Sequence, residues 1–515
     1  MTTPEHVDVL IVGAGLSGIG AACHLQRRCP GHSFAIVEGR DRSGGTWDLF
    51  RYPGVRSDSD MYTLGYAFRP WRGKKAIADG AEILQYLRDT ASEHGVDKKI
   101  RYGHRVERAA WSSAQARWTV DIERVDVGAG GDPASVGKGT AGATLQLSCN
   151  FLLMCSGYYR YDSGHAPTFP GMADFGGRVV HPQHWSEDID WAGKRVVVIG
   201  SGATAMTLVP AMAERAAQVT MVQRSPTWVV SRPSVDPLAH RLGGWLPRRL
   251  VHTLTRWKQV LLTIYVFNLC RGNPERAKKL LLAGVRAGVG NDADVQAHFT
   301  PRYKPWEQRL CLLPDGDLFR AMRAGKVAVA TDQIASFTPK GLKLQSGADL
   351  EADLVVTATG LTLQTSGGVQ LSVDGKTVDA AQALQYKGLM LSDVPNFAST
   401  FGYTNASWTL KSDLTAEYVC RLLNYMHKRG HAQCMPHNSD PTLATLPWMD
   451  FSSGYLQRAL DQFPKQGARD PWRLTQNYLK DIRLLRFGRI DDGVLRFAAP
   501  RAEPAAAASS AAAAA

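Results

Sequence analysis

Val7-Asp8-Val9-Leu10-Ile11-Val12 runs directly into Gly13-Ala14-Gly15-Leu16-Ser17-Gly18, and a helical stretch then continues to Arg28. The apolar run reads as a buried parallel strand. A second strand, Ser33–Val37, ends in Glu38. Together they make a βαβ unit carrying GxGxxG between strand and helix, the context that gives the motif meaning. Glycines allow a tight turn and let backbone approach a pyrophosphate, and the helix N-terminus offers N–H donors. Glu38, placed after the second strand, is positioned to accept hydrogen bonds from an unphosphorylated ribose.

The same pattern recurs further along. Arg195–Ile199 is a strand, Gly200-Ser201-Gly202-Ala203-Thr204-Ala205 is the turn, a helix is expected to about Ala217, and Val219–Val222 is the next strand. This unit ends in Gln223-Arg224-Ser225, with a cation where the first unit has an acid. An Arg there suits a 2′-phosphate that a Glu would repel. The first unit therefore asks for FAD or NAD and the second for NADP. The plainer reading of Arg224 is an exposed strand-end cation.

The strands Phe151–Cys155 and Asp353–Ala358 run into Ser156-Gly157 and Thr359-Gly360. Such strand-to-glycine turns are suitable crossing points between two domains. The expected fold is α/β, with two Rossmann-like dinucleotide-binding domains. Residues 1–157 and 340–500 form a discontinuous FAD domain, and 158–339 form an NADP domain with a helical insertion at about 233–301. Residues 127–142, rich in Gly and Ala, read as a long hairpin loop. Residues 501–515 read as a low-complexity tail.

Composition agrees with a large globular chain. The 515 residues suggest roughly three domains or subdomains, and 44% hydrophobic with 21% charged residues excludes collagen-like or wholly disordered classes. The net charge of +13 favours anionic partners. No run of five Lys or Arg and no zinc-finger spacing supports nucleic acid. Eight scattered cysteines without a CxxC read as reduced thiols of a cytoplasmic protein. No metal is expected: His431, Cys434 and His437 have a loosely ligand-like spacing but read as a surface loop. The N-terminus lacks a basic leader and reads as a strand, not a signal peptide. The apolar run within Gln259–Cys270 is too short for a membrane span, which takes about 20 residues. The 233–301 region interleaves apolar residues with cations such as Arg248, Arg249 and Lys258. It reads as a helical cap, or as a lid in peripheral contact with membrane.

Two dinucleotides on one chain imply hydride transfer from NADPH to flavin. The onward chemistry is signalled by Phe175-x-Gly177-x-x-x-His181-x-x-x-Trp185, between the two nucleotide units. From this chain's composition, such a match arises by chance in roughly one chain in a thousand. It resembles the FxGxxxHxxxW fingerprint of the flavin-dependent Baeyer–Villiger monooxygenases (class B flavoprotein monooxygenases), which continues in Pro or Asp where this chain has Ser186. A second element agrees: Gly45-x-Trp47, then Tyr52-Pro53-Gly54, then Asp58 resembles the family's GxWxxxx(F/Y)PGxxxD. The stretches His181–Trp185 and Gly402–Trp408 add to a resemblance covering nearly the whole chain.

The resemblance implies FAD, NADPH and O2. It implies oxygen insertion into ketones, and oxidation of sulfides or thioamides, through a flavin C4a-peroxide. It places flavin contacts at Gly13, Gly15, Ser17, Gly18, Glu38, Thr46, Trp47, Asp58 and Val106. NADP contacts fall on Arg56, Ser57, the turn Gly200 to Ala205, Arg224 and Ser225. Arg309 is the implied catalytic residue, oriented by Asp58. A fixed guanidinium suits a negatively charged oxygen adduct because Arg stays protonated, and a nearby carboxylate holds its fork. The plainer readings are a surface ion pair for Arg309 and a turn residue for Asp58. His181 reads as a domain link that positions NADP, and Trp185 as packing. Several family members carry Lys where Gln308 stands, so NADP selectivity falls on Arg224. Two alternatives stay open: an N- or S-oxygenating flavin monooxygenase without ketone activity, and a non-catalytic flavin-binding redox sensor. Oligomeric state is not legible.

Overall fold

The computed structural model describes residues 4–125 and 144–500. Its larger sheet has nine strands. At its centre Glu5–Val12 lies parallel to Phe34–Val37 on one side and to Thr144–Met154 on the other, with Val12 opposite Val37 and Met154. Val9, Leu10 and Ile11 are fully buried, as a strand covered on both faces requires. Beyond Thr144–Met154 the sheet turns antiparallel through Arg117–Arg124 and His104–Ser112. Trp111 and Trp118 pack there at 5.6 Å between ring centroids. Truncating a buried ring of this size typically costs about 3–5 kcal/mol. The helix Leu16–Arg28 shares one apolar core with the helix Trp408–Arg429, through Ile19 and Leu25 on one and Leu414 and Tyr418 on the other.

The second sheet is wholly parallel. Its five strands are Val327–Thr331, Gln218–Gln223, Arg195–Ile199, Leu354–Thr357 and Arg178–Val180, in that spatial order. Its glycine turn opens the helix Ala203–Met212, which stops short of the expected Ala217. Four helices follow the second βαβ unit: Pro237–Leu242, Arg248–Gly272, Pro274–Val289 and Asp292–His298. They occupy the expected 233–301 insertion.

The domain boundary needs correction. The expected return to the first domain at 340 is too early. Ile334–Thr338, Gly341–Leu344 and Asp349–Glu351 form a small antiparallel sheet. Phe337, Leu342 and Leu344 pack with Phe175, Val197 and Val355 in the second domain's core. Leu354–Thr357 is itself a central strand of the second sheet, so the chain crosses back only after it, at Ala358–Gly360. The strand is visible locally, but its partners Arg178–Val180 and Arg195–Ile199 are far away in sequence, so its sheet is not. The expected hairpin is present as the antiparallel pair Arg117–Arg124 and Thr144–Met154. Its loop at 127–142 and the 501–515 tail lie outside the described residues.

The two glycine turns are built alike. The Gly13 N–H donates to Val37 O and the Gly200 N–H to Val222 O, both at 2.8 Å. Gly13 has φ +106° and Gly200 φ +131°. A Cβ on Gly13 would sit 2.7 Å from Cys155 O, and one on Gly200 would sit 2.3 Å from Ala358 O. Gly18 is constrained differently, because its Cβ would lie 1.8 Å from Gly13 O. Gly202 has open space, with nothing within 4 Å. Gly18→Ala should therefore lower stability by about 1–3 kcal/mol, the usual cost of forcing atoms into a packed site. Gly202→Ala should stay within about 0.5 kcal/mol of the parent. Denaturant unfolding of both variants checks this, and equal losses would show that the turns are not packed as described.

Candidate active site

Both turns open into one cavity of about 1140 Å³ between the domains. The helices behind them are capped by Gly15 and Gly202, and neither N-cap supplies a side-chain hydrogen bond. Their first N–H groups are thus left for a ligand, as anion-binding helix ends require. Such an end at each turn fits the phosphates of two dinucleotides.

At the first turn Glu38 lines the cavity. Its Oε2 accepts from Ala14 N at 2.8 Å and its Oε1 from Arg40 N at 3.0 Å. Burial pushes its carboxyl up, opposed by these two backbone donors. The Gly44–Trp47 segment closes over the turn, and a Cβ on Gly45 would lie 3.1 Å from Gly15 Cα. A buried pair, Arg40 Nη2 to Asp48 at 2.7 Å, anchors that segment. Ser17, Thr46, Trp47 and Val106 line the same end. The Ser17 hydroxyl accepts from Trp408 Nε1 at 2.8 Å.

At the second turn Gly200, Ser201, Gly202, Ala203 and Thr204 line the cavity, with Arg224 and Ser225 beside them. Arg224 is exposed and makes no ion pair among the described residues. Ser201 Oγ and Thr227 Oγ1 lie 2.9 Å apart. Three expected contacts are placed differently. Gly18 and Ala205 are buried and absent from the cavity wall; each stands third in its turn, where helix packs on strand. Arg56 does reach the wall, but its Nη1 is held by Asp317 at 2.6 Å and its Nη2 donates to Met206 O at 3.4 Å. It is committed to bridging the domains. Ser57 lines the wall and its hydroxyl accepts from Ser59 N at 2.9 Å.

Asp58 and Arg309, 251 residues apart, meet between the two turns. Arg309 Nε lies 2.9 Å from Asp58 Oδ2 and its Nη2 lies 3.2 Å from Oδ1, a two-point contact. About a third of each side chain remains open to the cavity. The Asp58 charge raises Arg309 above the usual guanidinium value, against the cost of burial, so the cation persists at any working pH. Trp306, three residues earlier, takes a left-handed φ of +68°. Its indole packs edge-on to Phe267 at 5.6 Å. Ser452 also grips this loop, its N–H and hydroxyl both donating to Glu307 O.

Sequence reading missed the aromatic wall around this pair. Tyr158 stacks on Trp408 at 5.1 Å and touches Tyr159 at 4.5 Å between centroids. Burial pushes the Tyr159 and Tyr161 phenols up to about 12, which keeps them neutral. A signal was present: three tyrosines, Tyr158, Tyr159 and Tyr161, follow at once after the Gly157 crossing.

The fingerprint residues stand behind the cavity wall. His181 Nε2 donates to Gly360 O at 3.2 Å, and its Nδ1 accepts from Gln183 N at 3.2 Å. Burial holds His181 below the usual histidine range, consistent with a neutral ring tied to the second crossing. Gly177 allows close approach, since a Cβ there would lie 2.5 Å from Asp353 O. Phe175 packs on Phe337 at 5.9 Å and Trp185 on Trp191 at 5.7 Å.

The family described as flavin-binding monooxygenase-like matches residues 81–263, and an NAD(P)-binding Rossmann-like domain matches 11–72. The FAD-containing monooxygenase EthA of Mycobacterium tuberculosis (strain ATCC 25618 / H37Rv) is 54% identical over 495 residues, covering 96% of this chain and 98% of that protein. The chain belongs to the flavin-binding monooxygenases. Another relative in this family, the putative FAD-containing monooxygenase MymA of the same strain, is 50% identical over 98% of this chain and all of its own length. Among solved structures, an oxidised steroid monooxygenase bound to NADP has TM-score 0.67 at 24% identity, covering 84% of this chain and 88% of that one. OTEMO in complex with FAD and NADP has TM-score 0.70 at 19% identity, covering 96% and 100%. These two likenesses establish the fold. As a flavin-binding monooxygenase the protein is an oxidoreductase.

Glu38→Arg sets a bulky cation against the first turn and removes acceptors for two backbone N–H groups. The variant should purify without flavin absorbance while keeping its fold by circular dichroism. Full flavin occupancy would detach Glu38 from the flavin nucleotide.

Proposed function

We propose that this flavin monooxygenase uses FAD and NADPH with O2 to insert one oxygen atom into ketones, giving esters, and that it also oxidises sulfides or thioamides. The observation that carries the reading is the Asp58–Arg309 pair facing the cavity between the two turns. Bound FAD would supply the electrons, received from NADPH, and the activated oxygen. The first turn and Glu38 would hold FAD; the second turn and Arg224 would hold NADPH. One atom of O2 leaves in the product and the other as water.

The chain's own task is then positioning and charge. Oxygen insertion beside a carbonyl gathers negative charge on oxygen, and Arg309 is a cation already in place for it. Asp58 holds the guanidinium by two contacts, so no reorganisation is needed as charge develops. Tyr158, Tyr159 and Trp408 line the surrounding wall with rings and limit water there. His181 ties the crossing at Gly360 and so governs how the second domain meets the first. A cytoplasmic setting is proposed with this reading, supported by eight cysteines that are all buried thiols.

NADPH should be preferred to NADH. Arg224→Ala should raise KM for NADPH with a loss of roughly 1.5–3 kcal/mol, typical of a charge-assisted hydrogen bond, and leave NADH little changed. Steady-state kinetics with both cofactors decide it, and equal losses would make Arg224 structural. Arg309→Ala should retain FAD and some NADPH oxidation yet lose ester formation by about 100- to 1000-fold. Lys should rescue poorly, because one ammonium cannot keep the two-point contact with Asp58. The measurement is oxygenated product per NADPH on a ketone and sulfide panel, with hydrogen peroxide followed alongside. Near parental ester yield from Arg309→Ala would mean the oxygenation centre lies elsewhere. Sulfur products alone from the parent would leave an S-oxygenase without ketone activity.

A further inference from the structure

The helix Arg248–Gly272 buries a mixed face, with Val251, Val260 and Cys270 in apolar cores beside polar groups. Its inner face is pinned by polar groups. Arg256 Nη1 donates to Tyr62 O at 2.6 Å and to Gly65 O at 2.9 Å. Gln259 Nε2 donates to Asp236 Oδ2 at 2.6 Å, and Gln259 Oε1 accepts from Arg232 Nη2 at 2.7 Å. His252, Thr255, Arg256 and Gln259 are all buried. The outer face carries Leu250, Leu254, Trp257, Leu261 and Tyr265, all exposed, with Leu261 at 53% and Tyr265 at 57%. These positions recur every three or four residues, so they form one stripe. Thr253 and Asn268 add polar but uncharged atoms to that side.

The apolar surface extends beyond the helix. Trp245 precedes it and is 88% exposed. Trp257 lies against Tyr478, ring centroids 6.2 Å apart, and next in sequence is exposed Leu479. Phe487, in the following helical segment, is 72% exposed. Large exposed apolar side chains in a stripe along one helix, with more on neighbouring segments, mark an interaction surface.

The charge around it selects the occupant. The helix contains no Asp or Glu along its 25 residues. Exposed Arg248 and Arg249 open it, Lys480 and Arg483 flank Leu479, and Arg489 follows Phe487. No helix among the described residues is long and apolar enough to cross a membrane. A second copy docked face to face would bring two acid-free helices with basic flanks together, leaving their like charges unpaired by the helices themselves. An apolar stripe with basic flanks, lying flat over about 37 Å, matches the interfacial zone of an anionic bilayer.

We propose that the outer face of Arg248–Gly272, with Trp245, Leu479 and Phe487, docks the enzyme on an anionic lipid surface. The helix lies in the interface without spanning it. Docking would bring the bilayer close to the reactive site, because Phe267 on this helix packs on Trp306 in the Arg309 loop. Apolar substrates dissolved in lipid are the class this placement favours. That clause rests on the monooxygenase reading, whereas the docking does not.

The test is flotation of the flavin-loaded protein with vesicles of phosphatidylcholine containing roughly 30% phosphatidylglycerol, an anionic fraction chosen to attract basic residues, and with vesicles of phosphatidylcholine alone. The parent should float with the anionic vesicles and far less with the neutral ones. Leu254→Glu with Leu261→Glu should reduce the bound fraction at least about tenfold while flavin content and NADPH oxidation in solution stay unchanged. Arg248→Glu with Arg249→Glu keeps the apolar stripe and should weaken binding to anionic vesicles, with added salt weakening the parent likewise. Failure of the parent to float would overturn the proposal, as would equal flotation by the Leu254/Leu261 variant. A parent dimer without lipid, reduced to monomer by the leucine substitutions and showing no flotation, would assign the face to a second copy. None of these readouts depends on the product formed.

Discussion

Everything in this molecule is organised by two places where backbone must pass backbone with no side chain between. Gly13 meets the carbonyl of Cys155, and Gly200 meets the carbonyl of Ala358. Each carbonyl belongs to the residue just after the strand by which the chain leaves its sheet. The nucleotide turn and the domain crossing are therefore adjacent in both halves. Since the crossings are shared by the two domains, both turns face one cavity. A Cβ at either glycine would force the exit strand away from the turn, and the cavity geometry would change with it.

The crossings alone leave the relative setting of the domains loose, and charged side chains tighten it. Arg56 reaches from the first domain to Asp317 in the second. Asp58, two residues on, reaches Arg309. The segment Arg56–Asp58 is thus tied to the second domain twice, while its neighbour Ser57 N bonds to Ala78 O at home. Surface ion pairs are usually worth under about 1 kcal/mol. Pairs in a partly closed cleft have more influence on geometry, because removing one partner leaves the other charge poorly solvated. Asp58 and Arg309 accordingly join domain placement to site electrostatics.

The helical insertion shows a different economy. Its long helix binds the first domain partly through hydrogen bonds from Arg256 to backbone carbonyls, while Leu250, Leu254, Trp257, Leu261 and Tyr265 stay outside. The same helix touches the loop that carries Arg309, so the outer surface and the reactive cation share a support. Trp306 holds a left-handed backbone at that junction, a conformation that costs energy for a bulky residue and persists only when its surroundings enforce it.

Local sequence determined much of this protein by itself. The two βαβ units were legible because apolar runs, glycine turns and helix starts are short-range features, and so was the contrast of Glu38 with Arg224. The Phe175-to-Trp185 fingerprint pointed to flavin oxygenation, although its side chains stand behind the cavity. Only the tertiary structure decided what depends on distant partners. Leu354–Thr357 belongs to the second sheet because its neighbours lie at 178–180 and 195–199. Arg56 is occupied by Asp317, a partner 261 residues away that no spacing contains. The aromatic wall of Tyr158, Tyr159 and Trp408 assembles across about 250 residues of chain. The outward leucines of Arg248–Gly272 could not be told from core leucines by period alone, since a helical pattern marks two faces and does not say which one meets the protein.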